Sequence, residues 1–150
     1  MPSTHTSLHY HVVFSTKNRE PWFTDPAFLT DSLLPYLGGI IRQMGGESHI
    51  NGGVADHVHL LFGLKPTHCL SDVMRELKAV SSGWITEKLG RSAFAWQEGY
   101  GAFTVGATEL KRVHEYVRNQ AEHHHNKSFQ DEYIEMLKRG LVEYDDRYLW

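Results

Sequence analysis

The 150-residue chain has one cysteine, Cys69. An intrachain disulfide is therefore excluded, no Cys-x-x-Cys pair exists for structural zinc, and the usage fits a reducing cytoplasm. As a lone thiol after Pro66-Thr67-His68, Cys69 reads as a small buried side chain rather than a nucleophile. No run approaches about 18 consecutive apolar residues, so no membrane span is expected. Met1-Pro2-Ser3-Thr4-His5 lacks a basic segment followed by an apolar one, so no secretory signal is expected. There is no Walker-type glycine loop to support nucleoside triphosphate hydrolysis, and no Gly-x-Ser-x-Gly elbow. Positive charge is also scarce: 15 Lys and Arg against 18 Asp and Glu leave a net charge of −3, which argues against nucleic-acid binding by bulk charge alone.

What remains is an ordinary globular mixture, read as one domain over residues 1–150. Residues 8–15 alternate well enough for a first strand. Thr24 or Asp25 caps a first helix with Pro26 at its first position, Leu29, Leu33 and Leu37 on its apolar stripe, a kink at Pro35, and Gly45-Gly46 at its end. Residues 47–54 form a second strand, with Gly52-Gly53 marking a bulge or a close backbone approach. Asp56 turns the chain into a third strand over 57–64. Ser71-Asp72 starts a second helix that runs to Leu89, with Gly90 closing it. Residues 103–105 make a fourth strand, Thr108 caps a third helix over 109–124, and a last helix spans 129–138. The order β-α-β-β-α-β with added C-terminal helices is the ferredoxin-like split βαβ plan: an α+β, four-stranded antiparallel sheet with the first and third strands central and helices on one face.

Within this plan His57-Val58-His59 stands out. Successive side chains on a strand point to opposite faces, so the two imidazoles share a face and can hold one metal ion; a structural or solvent-facing role is the alternative. His9 and His11 alternate in the same way and compete as a pair. His123-His124-His125 ends a helix and does not face one point. Tyr116 and Gln120 are four residues apart, one above the other on the third helix. They can bring a hydroxyl nucleophile and a carbonyl oxygen to the open face of the sheet, or Tyr116 can be a core aromatic beside Val113 and Val117. Arg75, Lys78, Arg112 and Arg118 are among the cations of the middle and late chain, which can form a local basic face or a solvated one. Trp22, Trp96 and Tyr100 are candidates for stacking on unpaired bases or for the core.

The same residues resemble a known family, the single-tyrosine HUH transposases of the simplest bacterial insertion sequences (the IS-two-hundred type), and the related REP-associated tyrosine transposases. The resemblance runs through Tyr10-His11-Val12-Val13-Phe14, Thr16-Lys17-Asn18-Arg19, Gly52-Gly53-Val54-Ala55-Asp56-His57-Val58-His59, Lys78-Ala79-Val80-Ser81-Ser82 and Trp96-Gln97-Glu98-Gly99-Tyr100-Gly101. It continues in Tyr116-Val117-Arg118-Asn119-Gln120 and the tail 144–150. It departs at Thr104-Val105-Gly106-Ala107, where many relatives carry serines. It implies metal-dependent cleavage and strand transfer of single-stranded DNA at hairpin-containing transposon ends, through a 5′-phosphotyrosine. In that assignment Tyr116 is the nucleophile, His57, His59 and Gln120 hold Mg²⁺ or Mn²⁺, and Lys17, Arg19, Arg75, Lys78, Arg112 and Arg118 are candidates for DNA contacts. It also implies a cytoplasmic bacterial homodimer whose active sites are shared between subunits. Two other functions fit the motifs: a domesticated, non-mobile module that binds hairpin DNA or RNA, and an HUH replication or relaxase-type nickase.

Overall fold

The computed structural model describes residues 3–123 and 127–149, with nothing said of the His123 side chain. The His123-His124-His125 run and the final Trp150 thus fall outside the described side chains. Four strands, β1 (His9–Ser15), β2 (Glu47–Val54), β3 (His57–Gly63) and β4 (Gly101–Val105), form one sheet in the order β2-β3-β1-β4. All neighbours are antiparallel, and β1 and β3 are central, as the split βαβ plan requires. The β2–β3 hairpin turns at Ala55-Asp56. Its irregularity sits between Ser48 and Ile50, while Gly52 is in register opposite His59.

The two faces of this sheet differ in chemistry. Val12, Phe14, Val58, Leu60 and Phe62 point to one face, where they meet Leu37 and Ile41 of α2 (Leu34–Gln43) and Met74, Leu77 and Ile85 of α3 (Leu70–Leu89). Each fully buried Leu, Ile or Phe contributes about 1.5–3 kcal/mol relative to exposure, so this layer is the main hydrophobic core. The opposite face carries His9, His11, Val13 and Ser15 from β1 and His57, His59 and Leu61 from β3. It is covered by α4 (Leu110–Arg118) and α6 (Phe129–Arg139), with the single turn α5 (Gln120–His123) between them.

Several local expectations shift. Asp25 caps α1 (Pro26–Phe28) through the Ala27 N–H, but the strain of Pro35 is taken up by a π-helical turn at Leu29–Leu33. Pro35 thereby stands in the first turn of α2, where a missing N–H costs little. Cys69 is exposed rather than buried and stands at the N-cap of α3 without a side-chain cap bond, so the helix begins at Leu70 and not at Ser71-Asp72. Thr108 lies inside a 3₁₀ turn (Ala107–Glu109) and caps nothing. The predicted third helix is broken at Asn119 (φ −96°, ψ 27°), which separates α4 from α5. Gly45 and Gly90 end their helices at φ +89° and +64°, where glycine carries no steric penalty.

Two glycines on the histidine face let the covering helices approach. A Cβ on Gly52 would lie 2.1 Å from the Val117 carbonyl oxygen of α4, and one on Gly101 would lie 2.7 Å from the Tyr133 ring of α6. Gly83, inside α3, has nothing within 4 Å of its Cβ position. Gly52→Ala and Gly101→Ala are therefore expected to destabilise by about 1–3 kcal/mol through overpacking. Gly83→Ala should stabilise by about 0.5–1 kcal/mol through helix propensity. Urea unfolding of the three variants checks the contrast in sign.

Candidate active site

His57 and His59 are both 0% exposed, under α6. Ser128 caps α6 by accepting from the Asp131 N–H, and the helix presents Phe129, Glu132 and Leu137 inward. Glu132 is the one acid on that buried stripe, and it lands on the histidine pair. Its Oε1 is 3.0 Å from His59 Nε2 and 3.9 Å from His57 Nε2. One ligand atom from each of His57, His59 and Glu132 lies within 4.8 Å of the others, all three residues being buried. Two neutral imidazoles and a carboxylate converging in this way can hold a divalent metal ion.

Each histidine is held from behind. His57 Nδ1 donates to Asp56 Oδ1 at 2.8 Å, and Phe129 stacks on the His57 ring at 4.0 Å between centroids. Burial pushes the Asp56 carboxyl up, but the hydrogen bond and charge of His57, its own backbone and Arg19 outweigh this, so Asp56 titrates below the usual carboxylate range. His59 Nδ1 shares a hydrogen bond of 2.9 Å with His11 Nε2, and the two rings stack at 5.1 Å. Burial, reinforced by neighbouring His59 and opposed by Glu132, lowers His11 to a pKa of about 3, so it is neutral at physiological pH. A lone pair on His59 Nε2 requires the proton on Nδ1, where neutral His11 can accept it. Both histidines thus have an outer partner that can fix the tautomer with Nε2 facing Glu132.

Tyr116 reaches the same point from α4. Its ring is 5.9 Å from His59 and 6.0 Å from His11, and its hydroxyl donates to Glu132 Oε2. Burial, then the hydrogen bond and charge of Glu132, push the phenol well above its ordinary pKa, while the Gln120 amide and Arg139 act in the opposite sense. Gln120 is 1% exposed, and its amide nitrogen also lies 3.4 Å from the Tyr116 carbonyl. The structure thus brings His57, His59 and Tyr116 together, keeps Gln120 beside Tyr116, and adds Glu132 to the histidine pair. Glu132 is the residue missed by sequence reading; its one signal was an acid on the apolar stripe of the last helix.

The cationic candidates are scattered. Lys78 is half-buried and directs its ammonium to the carbonyls of Gln97, Glu98 and Gly99 at 2.5–3.1 Å, which uses all three of its N–H bonds. Burial, opposed by Glu98, lowers it to about 8. Arg75 pairs with Asp72, Arg112 with Glu109 and Arg118 with Glu115, all near the surface. Lys17 is exposed, and Arg19 borders the site through its charge on Asp56. Trp96 is buried, with Nε1 donating to Ser81 Oγ, whereas Trp22 is only partly buried against Phe94.

Fold and site together define a class: a ferredoxin-like sheet carrying a His-x-His pair and a tyrosine helix on its second face. The family model described as "Transposase IS200 like" matches residues 4–120, and the chain belongs to that family of transposases. It is similar to the transposase for insertion sequence element IS200 of Salmonella typhimurium, with 29% identity over 129 residues covering 79% of this chain and 80% of that protein. The IS200 transposase of Salmonella typhi matches equally. Among solved structures, a candidate transposase from Deinococcus radiodurans R1 superposes with a TM-score of 0.63 at 26% identity, covering 80% of this chain and 95% of that one. A REP-associated tyrosine transposase bound to a REP hairpin shares the fold, with a TM-score of 0.53 at 15% identity, covering 95% of this chain and 76% of that one. The family match ends at residue 120, so α6 and Glu132 lie beyond it.

If His11 and Asp56 orient the pair, His11→Ala and Asp56→Asn should each lower Mn²⁺ affinity about 10–100-fold. Electron paramagnetic resonance titration of free Mn²⁺ measures this. Unchanged affinity in both variants would contradict the orienting role.

Proposed function

We propose that this transposase cuts and rejoins single-stranded DNA at hairpin-bearing element ends through a 5′-phosphotyrosine on Tyr116. The observation that carries this reading is the buried cluster in which the Tyr116 hydroxyl, both imidazoles and the Glu132 carboxylate meet. Two nitrogens and a carboxylate oxygen, with outer partners already orienting the imidazoles, suit Mn²⁺ or Mg²⁺. Such an ion, when bound, neutralises and positions the scissile phosphate.

The chain's own residues supply the rest. Tyr116 Oη forms a bond to phosphorus while the bond from phosphorus to the 3′-oxygen breaks. The phenolic proton passes to Glu132 Oε2, which already accepts its hydrogen bond, and the departing 3′-oxygen takes a proton from solvent. Burial, then Glu132, holds the phenol protonated in the resting arrangement. The phosphotyrosine conserves the bond energy, and attack by another 3′-hydroxyl reverses the step and joins strands. The hairpin on the fold-related REP-associated enzyme supports hairpin DNA as the substrate. That all four groups meet within one chain supports a site built in cis.

The test is trapping of a detergent-resistant adduct from a labelled pool of single-stranded hairpin oligonucleotides with Mn²⁺. Wild-type protein should form it, and Tyr116→Phe, His57→Ala and His59→Ala should not. A Tyr116→Phe protein that forms as much adduct as wild type sinks the assignment. The third ligand is decided separately: if Glu132 holds the metal, Glu132→Gln lowers Mn²⁺ affinity about tenfold or more and Gln120→Ala does not. The reverse result gives that role to Gln120.

A further inference from the structure

Beside Tyr116 the histidine face opens into a cavity of about 460 Å³ between β4, α4 and α6. That volume is in the range of small-ligand sites and accommodates one nucleotide. Tyr116 lines it, Phe103 and Met136 give it apolar walls, and Arg112, Lys127 and Arg139 bring three positive charges against the two carboxylates Glu132 and Glu135. The cations are not equivalent. Arg112 is engaged by Glu109 at 2.7 Å, and Lys127 by Glu135. Arg139, in the last turn of α6, forms no ion pair among the described residues, yet its charge acts on Tyr116.

Phe103 is opposite His11 in the β1–β4 ladder and therefore on the same face as the catalytic cluster. It is only partly buried. Its ring passes so close to Gly140 that a Cβ there would lie 2.9 Å from Phe103 Cδ1. The chain thus keeps an aromatic surface, a guanidinium that no carboxylate engages in an ion pair among the described residues, and the Tyr116 side chain on one nucleotide-sized space. Base stacking on an aromatic ring and a guanidinium on a phosphate are the two contacts that hold single-stranded nucleic acid most economically.

We propose that this cavity is a subsite for the nucleotide whose 5′-phosphate Tyr116 attacks, with Arg139 receiving the phosphate and Phe103 the base. The proposal rests on the phosphotyrosine reading above. Once the 3′-hydroxyl strand departs, this nucleotide stays joined to Tyr116. A site that grips it keeps the phosphorus aligned for the next 3′-hydroxyl.

The experiment is a nuclear magnetic resonance titration of the whole chain, in EDTA, with thymidine 5′-monophosphate, thymidine and inorganic phosphate as separate probes. Thymidine 5′-monophosphate should bind in the millimolar range and shift the amides of Gly101, Phe103 and Gly140. Arg139→Gln should weaken it about tenfold, to the level of thymidine, and Arg139→Lys should restore part of the loss. Phe103→Ala should weaken both nucleoside probes about fivefold or more and leave inorganic phosphate unchanged. Shifts elsewhere, no binding at about 10 mM probe, or an Arg139→Gln protein that binds as wild type would each overturn the subsite. Because the titration needs neither metal nor cleavage, its failure is distinguishable from absence of the covalent adduct, which would overturn the phosphotyrosine reading instead.

Discussion

The contact between Gly52 and the Val117 carbonyl fixes the distance from the tyrosine helix to the sheet. With no Cβ at residue 52, α4 lies directly on β2, opposite His59 in the ladder. Tyr116, one residue before Val117, is then carried to the edge of the His59 ring. Val113 and Val117 anchor the helix against Leu61 and Val105 in a small apolar cluster separate from the main core. The position of Tyr116 is therefore a packing consequence. Interiors are close-packed, and one added methyl group at residue 52 would move it.

The second face of the sheet is a polar layer held between apolar flanks. Asp56, His57, Glu132, His59 and His11 form a connected chain of hydrogen bonds and short polar contacts, with Tyr116 joined to it through Glu132. Such a network is stable when buried because every member has a partner. It also makes the site depend on α6, a helix beyond the family match, as much as on the strands that carry the histidines. The low pKa of His11 and the raised phenol of Tyr116 both follow chiefly from burial in this layer, which keeps the two groups neutral and the proton at the phenol.

Much of this was legible in the sequence because it depends on period. Alternation places His57 and His59 on one face, spacing of four aligns Tyr116 with Gln120, and the order of elements gives the sheet topology. The fold resemblance extended over most of the chain and the family match supports it. What was not legible depends on docking. Glu132 belongs to a helix whose own periodicity says only that it has an inward side; which strand residue that side meets depends on tertiary docking, in which Gly101 leaves room for the Tyr133 ring. His11 was set aside as half of a competing histidine pair, because a single strand does not reveal its diagonal neighbour on β3. Cys69 was read as buried from residue preference, whereas its place at a helix start, before Ser71, leaves it at the surface. Lys78 showed a charge but not the three loop carbonyls that engage it.

The central claim of the proposed function is that Tyr116 attacks over the histidine pair of its own chain. Mixing a His57→Ala protein with a Tyr116→Phe protein tests it most directly, with the trapped covalent adduct on hairpin DNA as the readout. If the site is built within each chain, neither protein alone nor the mixture forms adduct. Adduct on the His57→Ala chain in the mixture would contradict the account, because its Tyr116 would then have worked over the histidines of the other subunit.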